Sequence, residues 1–122
     1  CDIAKANELY QREHLGSYNK TEFEDIDSII QGIIGNKCRV SVNFGEVVTE
    51  DFETPEALAE HIDRQIHHNY QLYPINYLAA NQSCDELTQA CRDRFAAKLA
   101  ELPEQAHSYL IANYANPVHN AK

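Results

Sequence analysis

The sequence predicts a mainly α-helical chain with a minor β component: helices arranged around one strand and closing in a helical hairpin. Three observations carry this. Apolar residues recur at three- and four-residue spacing through most of the chain, as in Ile26, Ile29, Ile30, Ile33 and Ile34 or Leu58, Ile62, Ile66 and Tyr70, which is the period of a helix with one buried stripe. One stretch, residues 38–46, instead alternates: Cys38, Val40, Val42 and Phe44 fall on one face and Arg39, Ser41 and Asn43 on the other, the pattern of a half-buried strand. No second segment alternates in this way, yet a strand's N–H and C=O groups need neighbours. The chain therefore reads as a piece of a larger α/β protein.

In order along the chain, Asp2 is placed to cap a first helix running to about His14, broken by Leu15-Gly16-Ser17. Thr21 and Glu24 form a capping-box pattern ahead of the five isoleucines, a continuous stripe that calls for a deep apolar partner. Gly35 is expected to supply a left-handed cap before the strand. After an acidic connector, Thr54-Pro55-Glu56 combines a capping hydroxyl, a proline at the first turn and a carboxylate at the positive end of the dipole. That helix ends by Tyr73, because Pro74 disfavours helical geometry in the residue before it. A short helix is expected over 75–80. Ser83 with Glu86 predicts the start of a helix carrying Leu87, Cys91, Phe95 and Leu99. Pro103 ends it and opens a last helix with Ala106, Leu110, Asn113 and Tyr114 on one stripe, running until Pro117. The short turn at Glu101-Leu102-Pro103 predicts an antiparallel hairpin.

Composition bounds the function. A chain of 122 residues can bury roughly two thirds of its unfolded surface, enough for one core. Ten basic residues against 19 acidic ones give a formal charge of −9. That balance argues against nucleic acid, whose phosphates need a basic face, and against this piece being the main contact with anionic lipid heads. No apolar run approaches the roughly 20 residues of a membrane span, and no charged-then-apolar signal pattern opens the chain. Cys1, Cys38, Cys84 and Cys91 include no Cys-x-x-Cys pair, and Cys84 and Cys91 are too far apart on a helix to bridge. Reduced thiols in a cytosolic protein are expected.

Several side chains invite chemistry. His61, His67 and His68 lie near Asp63, but no His-x-x-x-His or His-Glu-x-x-His spacing is present, so solvated or partner-facing histidines are expected rather than a metal site. Glu22, Glu24, Asp25 and Asp27 lack the glycine and terminal Glu of a calcium loop and fit the first turn of a helix. Arg39 and Arg64 are the candidates for contact with a phosphate-bearing substrate, because a guanidinium forks two phosphate oxygens. The simpler account of each is a surface ion pair. Tyr70, Tyr73 and Tyr77 suit either an acyl-chain groove or the edge of a core, rings packed and hydroxyls wet.

Taken together, Arg39-Val40-Ser41-Val42-Asn43-Phe44-Gly45-Glu46, Ile62-Asp63-Arg64-Gln65-Ile66 and Tyr73-Pro74-Ile75-Asn76-Tyr77-Leu78-Ala79 resemble the C-terminal third of bacterial glycerolipid acyltransferases of the 1-acyl-glycerol-3-phosphate acyltransferase-like family. Cys1-Asp2, Glu8-Leu9-Tyr10, Gly16-Ser17-Tyr18, Glu24-Asp25-Ile26-Asp27-Ser28-Ile29 and Tyr114-Ala115-Asn116-Pro117-Val118 fit the same pattern, so the resemblance spans nearly the whole chain. It implies an α/β acyltransferase fold, with 1–82 as the C-terminal portion of that domain and 83–122 as the terminal hairpin. It also implies transfer of an acyl group from acyl-CoA or acyl carrier protein to a glycerolipid hydroxyl, without a cofactor, by a parent enzyme peripheral at the cytoplasmic side of the inner membrane.

The family's chemistry rests on a His-x-x-x-x-Asp motif, in which the Asp orients the His and the His takes the hydroxyl proton. No histidine here has an Asp five positions on. His14 with Asn19 comes nearest, and an amide lacks the charge that stabilises an imidazolium. The Phe-Pro-Glu-Gly-type block that holds the substrate phosphate in the family is missing too. The expectation is that the catalytic half precedes Cys1, that no catalytic residue lies in this chain, and that the chain alone is inactive. An acidic helical interaction module without a catalytic role is the alternative. With its strand unpaired, the isolated chain is expected to form a homodimer or higher oligomer.

Overall fold

The computed structural model describes residues 2–35 and 39–121, and Cys1 and Cys38 lie outside them. Six α-helices are present: α1 (Asp2–Leu15), α2 (Glu24–Ile34), α3 (Pro55–His68), α4 (Pro74–Ala79), α5 (Gln89–Ala100) and α6 (His107–Asn120), with a 3₁₀ turn over Glu104–Ala106. The chain is thus mostly helical, as its periodicity predicts.

α6 packs against α1 and α4, and α4 also meets α5. Ala6, Leu102, Ala106 and Leu110 form the buried centre, with Ile3, Tyr10, Leu99, Tyr109 and Tyr114 closing around it. Small residues at Ala6 and Ala106 let the α1 and α6 backbones approach, and Leu110 fills the space with no exposure at all. Helices from both sides of residue 82 share this core.

Local signals account for most helix ends. Thr54 Oγ1 accepts from Ala57 N–H at 3.1 Å, with Pro55 in the first turn. Gly16, at φ +73°, follows α1 where a left-handed residue is needed. α4 closes in a Schellman motif: Gln82 N–H reaches Tyr77 C=O at 2.8 Å, Asn81 N–H reaches Leu78 C=O at 3.1 Å, and Asn81 takes φ +55°.

The expected antiparallel hairpin of the last two helices is not a main packing pair, since α6 lies against α1 and α4, and Phe23 rather than Thr21 stands at the N-cap of α2, without a side-chain bond. Four further expectations need correction. Gly35 is not left-handed but extended, at φ −58° and ψ 151°. A glycine is still required, because a Cβ there would lie 2.6 Å from the Gln31 carbonyl oxygen. α5 starts later than Ser83: Thr88 caps it, its Oγ1 accepting from Cys91 N–H at 3.3 Å, so Leu87 stands outside the helix. α6 runs through Pro117 to Asn120. The proline leaves the Asn113 carbonyl without a donor, but Asn113 is exposed and Ala121 N–H closes the last turn on Pro117 C=O at 2.9 Å.

The fourth concerns the strand. Among the described residues no strand is formed, and 39–49 carry no regular structure. The physical reason is the one that made the stretch conspicuous: no neighbouring strand stands about 4.8 Å away to take its backbone groups. α3 and its flanks hold the stretch instead, through one of its backbone groups and two of its side chains. Glu46 N–H donates to Gln65 Oε1 at 2.7 Å, Asn43 Nδ2 donates to Asn69 C=O at 2.7 Å, and Ser41 and Tyr73 hydroxyls meet at 2.8 Å.

The apolar positions of this stretch and of α2 consequently remain in water. Phe44 is 91% exposed, Val42 72% and Ile33 72%, where a satisfied core would bury them. Neither α2 nor α3 has a helix partner comparable to those of α6 among the described residues. Leu110→Ala is therefore expected to lower the unfolding free energy of the isolated chain by about 2–4 kcal/mol, while Ile33→Ala changes it by less than about 0.5 kcal/mol. Urea denaturation of the two variants measures this contrast. Equal losses would mean that the isoleucine stripe is covered in solution.

Candidate functional site

α5 presents Cys91, Arg94 and Lys98 on one helical face. Facing them are Tyr73, Pro74 and Ile75 at the start of α4, Tyr114 of α6, and Arg39 from the irregular segment, and together they border a cleft of about 420 Å³. Glu86 and Thr88 complete its wall. The Arg39 guanidinium carbon lies 5.9 Å from the centroid of the Tyr73 ring, within reach of a cation–π attraction. Tyr73 thus receives the segment twice, through Arg39 on its ring and Ser41 on its hydroxyl.

Lys98 is held in place from behind. Its Nζ lies 2.8 Å from Asp2 Oδ2, and the Tyr114 hydroxyl donates to the same carboxylate oxygen. Burial pushes the Asp2 carboxyl up, but hydrogen bonds from Lys98 and Tyr114, the Lys98 charge and the Ile3 N–H outweigh it, and the carboxyl is held down at about 2. Burial and the same hydrogen bond to Asp2 push the Tyr114 hydroxyl up, so it stays a donor at any physiological pH.

Arg39 and Arg64 are not brought together. Arg64 borders a different cavity, about 660 Å³, beside Phe44, His61 and His68. The cations that do join Arg39 are Arg94 and Lys98, which the sequence reading passed over. Their signal was available: they stand four apart on a face that continues from Cys91, where an apolar stripe drew the eye to 87, 91, 95 and 99 instead.

The histidines are dispersed. His14 Nε2 lies 3.2 Å from the Tyr109 hydroxyl, which donates to Glu13 Oε2 at 2.6 Å, and that carboxylate pushes the phenol up to about 12. A phenol held protonated in this way is a donor rather than a nucleophile. His61 shares a hydrogen bond with Gln65 Nε2 at 2.9 Å and packs on Phe52, and His67 packs on Tyr70. Among the described residues no three of His, Cys, Asp and Glu gather as metal ligands. Cys84 and Cys91 are free thiols. The tyrosine cluster does not form one groove: Tyr73 faces the cleft, while Tyr70 stacks toward His67.

Against known proteins, no family model, no curated protein and no solved structure matches this chain.

Because Asp2 is depressed in the folded state, its contribution is fully present above the unfolded value of 3.8 and is lost as pH falls toward about 2. The carboxylate remains partly in water, so the contribution is discounted to the order of 1 kcal/mol. Unfolding free energies measured from pH 5 down to pH 2 are expected to fall more steeply for the native chain than for Asp2→Asn. Parallel profiles would mean that the Asp2–Lys98–Tyr114 contact is not formed in solution.

Proposed function

We propose that this chain is the C-terminal part of a glycerolipid acyltransferase of the lysophosphatidate or glycerol-3-phosphate type, and that the catalytic His and Asp are supplied by another part of the protein. The reaction moves an acyl group from acyl-CoA or acyl carrier protein to a glycerolipid hydroxyl. The hydroxyl oxygen bonds to the thioester carbonyl carbon, the C–S bond breaks, and the proton taken from the hydroxyl leaves with the thiol.

The observation that supports this reading is the state of residues 39–49. Their alternating apolar side chains are in water and no strand partner is present among the described residues. In an α/β acyltransferase domain the same stretch is a strand of the parent sheet, which takes up its backbone groups, and the α2 isoleucines cover that sheet's face. The ordered blocks of resemblance run through these two elements. Membrane association of the parent enzyme is peripheral in this reading and falls to the catalytic half, since the chain is acidic. No helix among the described residues is long and apolar enough to cross a membrane.

An acidic helical interaction module is the second reading, favoured by the closed core of α1, the α5–α6 turn and α6, which does not draw on the exposed segment. In either case the isolated chain is expected to associate with itself, through Val42 and Phe44 or through the isoleucine stripe.

Two measurements test the proposal. Thioester release with a lysophosphatidate acceptor is expected only when the chain is expressed together with the residues encoded upstream of it. Turnover by the isolated chain, or none by the extended protein, would overturn the acyltransferase reading. Sedimentation of the isolated chain is expected to show a concentration-dependent dimer or higher oligomer that Ile33→Lys with Phe44→Lys renders monomeric. A native monomer at high concentration would instead revive the module reading.

A further inference from the structure

We infer that the cavity between α3 and residues 44–46 is a binding site for a small zwitterion with an aromatic side chain, of the kind an aromatic α-amino acid presents. The inference goes beyond the acyl-transfer reading and does not rest on it.

Two opposite charges border one space here without meeting. Arg64 of α3 and Glu46 both line the cavity of about 660 Å³. Among the described residues neither side chain takes part in an ion pair or a side-chain hydrogen bond, and Glu46 is engaged only through its backbone N–H. The surface ion pair that would be the simpler account of Arg64 is therefore absent.

The two groups are nevertheless held in a fixed relation. Arg64 stands between His61 and His68 on the α3 face that also carries Gln65. Gln65 Oε1 accepts from Glu46 N–H at 2.7 Å, and Gln65 Nε2 meets His61 Nε2 at 2.9 Å. The amide is thus engaged at both ends and sets the Glu46 backbone against the helix that bears Arg64. Gly45 leaves the room for this approach, because a Cβ there would meet the same amide oxygen. With Gln65 and His61 occupied by each other, the guanidinium and the carboxylate are the groups left to recognise a ligand.

Their combination selects its charge. A simple anion on Arg64 would leave the Glu46 carboxylate facing it, and a simple cation on Glu46 would leave the guanidinium. A molecule with an ammonium and a carboxylate a few atoms apart satisfies both: the single guanidinium fork matches the two carboxylate oxygens, and Glu46 accepts from the ammonium. Such a ligand is neutral overall, so it approaches without working against the formal charge of −9. The apolar part of the ligand is set by Phe44, which lines the same cavity and is 91% exposed. An aromatic ring laid against it removes apolar surface from water on both partners and adds the attraction of an aromatic pair. A volume of about 660 Å³ lies in the range of small-ligand pockets.

The experiment is titration of the chain with L-phenylalanine at pH 7, read by isothermal calorimetry and by amide shifts in NMR. Phenethylamine, which lacks the carboxylate, 3-phenylpropionate, which lacks the ammonium, and alanine, which lacks the ring, are the parallel probes. Phenylalanine is expected to bind at least tenfold more tightly than each of them. Arg64→Gln is expected to bind phenylalanine no better than phenethylamine, and Glu46→Gln no better than 3-phenylpropionate, so that each variant erases one preference and keeps the other. Phe44→Ala is expected to bring phenylalanine down to the affinity of alanine, while Arg39→Gln, at the other cleft, leaves binding unchanged. All four positions are exposed and outside the core, and circular dichroism establishes that each variant is folded. Absence of saturable binding, equal affinity for any of the three analogues, or an equal loss in Arg39→Gln would each overturn the proposal. None of these results bears on thioester release by the extended protein, so the two readings fail separately.

Discussion

The structure depends on one side chain more than any other. Tyr114 donates its hydroxyl to Asp2 of α1, sets its ring edge-on against Phe95 of α5 at 5.6 Å, and accepts through its carbonyl from Asn76 of α4 at 2.9 Å. Four helices are joined at one residue of α6. Asn76, buried to 9% exposure, returns the favour locally: its Oδ1 accepts from Tyr73 N–H at 2.9 Å, so the amide that ties α4 to α6 also fixes the start of α4. A buried polar group costs little when every bond is made, and no buried side-chain polar atom among the described residues lacks a partner.

That hub places the cleft. Asp2 positions Lys98, Tyr114 forms part of the wall, and Tyr73 is held by Asn76 while it receives Arg39. The polar network that organises the helices is continuous with the cation-lined surface. The irregular segment, by contrast, is attached to the rest through the Gln65 side chain, the Asn69 carbonyl and the Tyr73 hydroxyl and buries none of its own apolar residues. Gln65 also lies tight against the segment, its amide oxygen so close to Gly45 that a Cβ there would meet it.

What could be read from the sequence was what is decided locally. Thr54-Pro55 set the start of α3, and Gly16 the end of α1, because hydroxyl, ring and missing Cβ act within one turn. Local signals can also mislead: Ser83 with Glu86 has the spacing of a capping box, yet the helix begins five residues later, behind Thr88. The alternation at 40, 42 and 44 did not make a strand, because a strand is a relation between two segments and periodicity contains one. The same limit hid the cleft. Arg39 stood out by its chemistry, whereas its companions Arg94 and Lys98 stand more than fifty residues away and are joined to it only by the fold. Asn76 gave no sign of its role: it fell within the short helix expected over 75–80, and its bond to the Tyr114 carbonyl is made only by the fold.

The exposed run from Val40 to Val48 also bears on how long such a chain survives in a cell. Irregular backbone with Val42, Phe44 and Val47 in water is the kind of stretch that chaperones and processive proteases engage first, because it needs no prior opening of the fold. The rate-limiting event for turnover would then be capture at this segment, governed by whatever covers it, and the stability of the α1–α4–α6 core would set only how quickly the captured chain is unravelled.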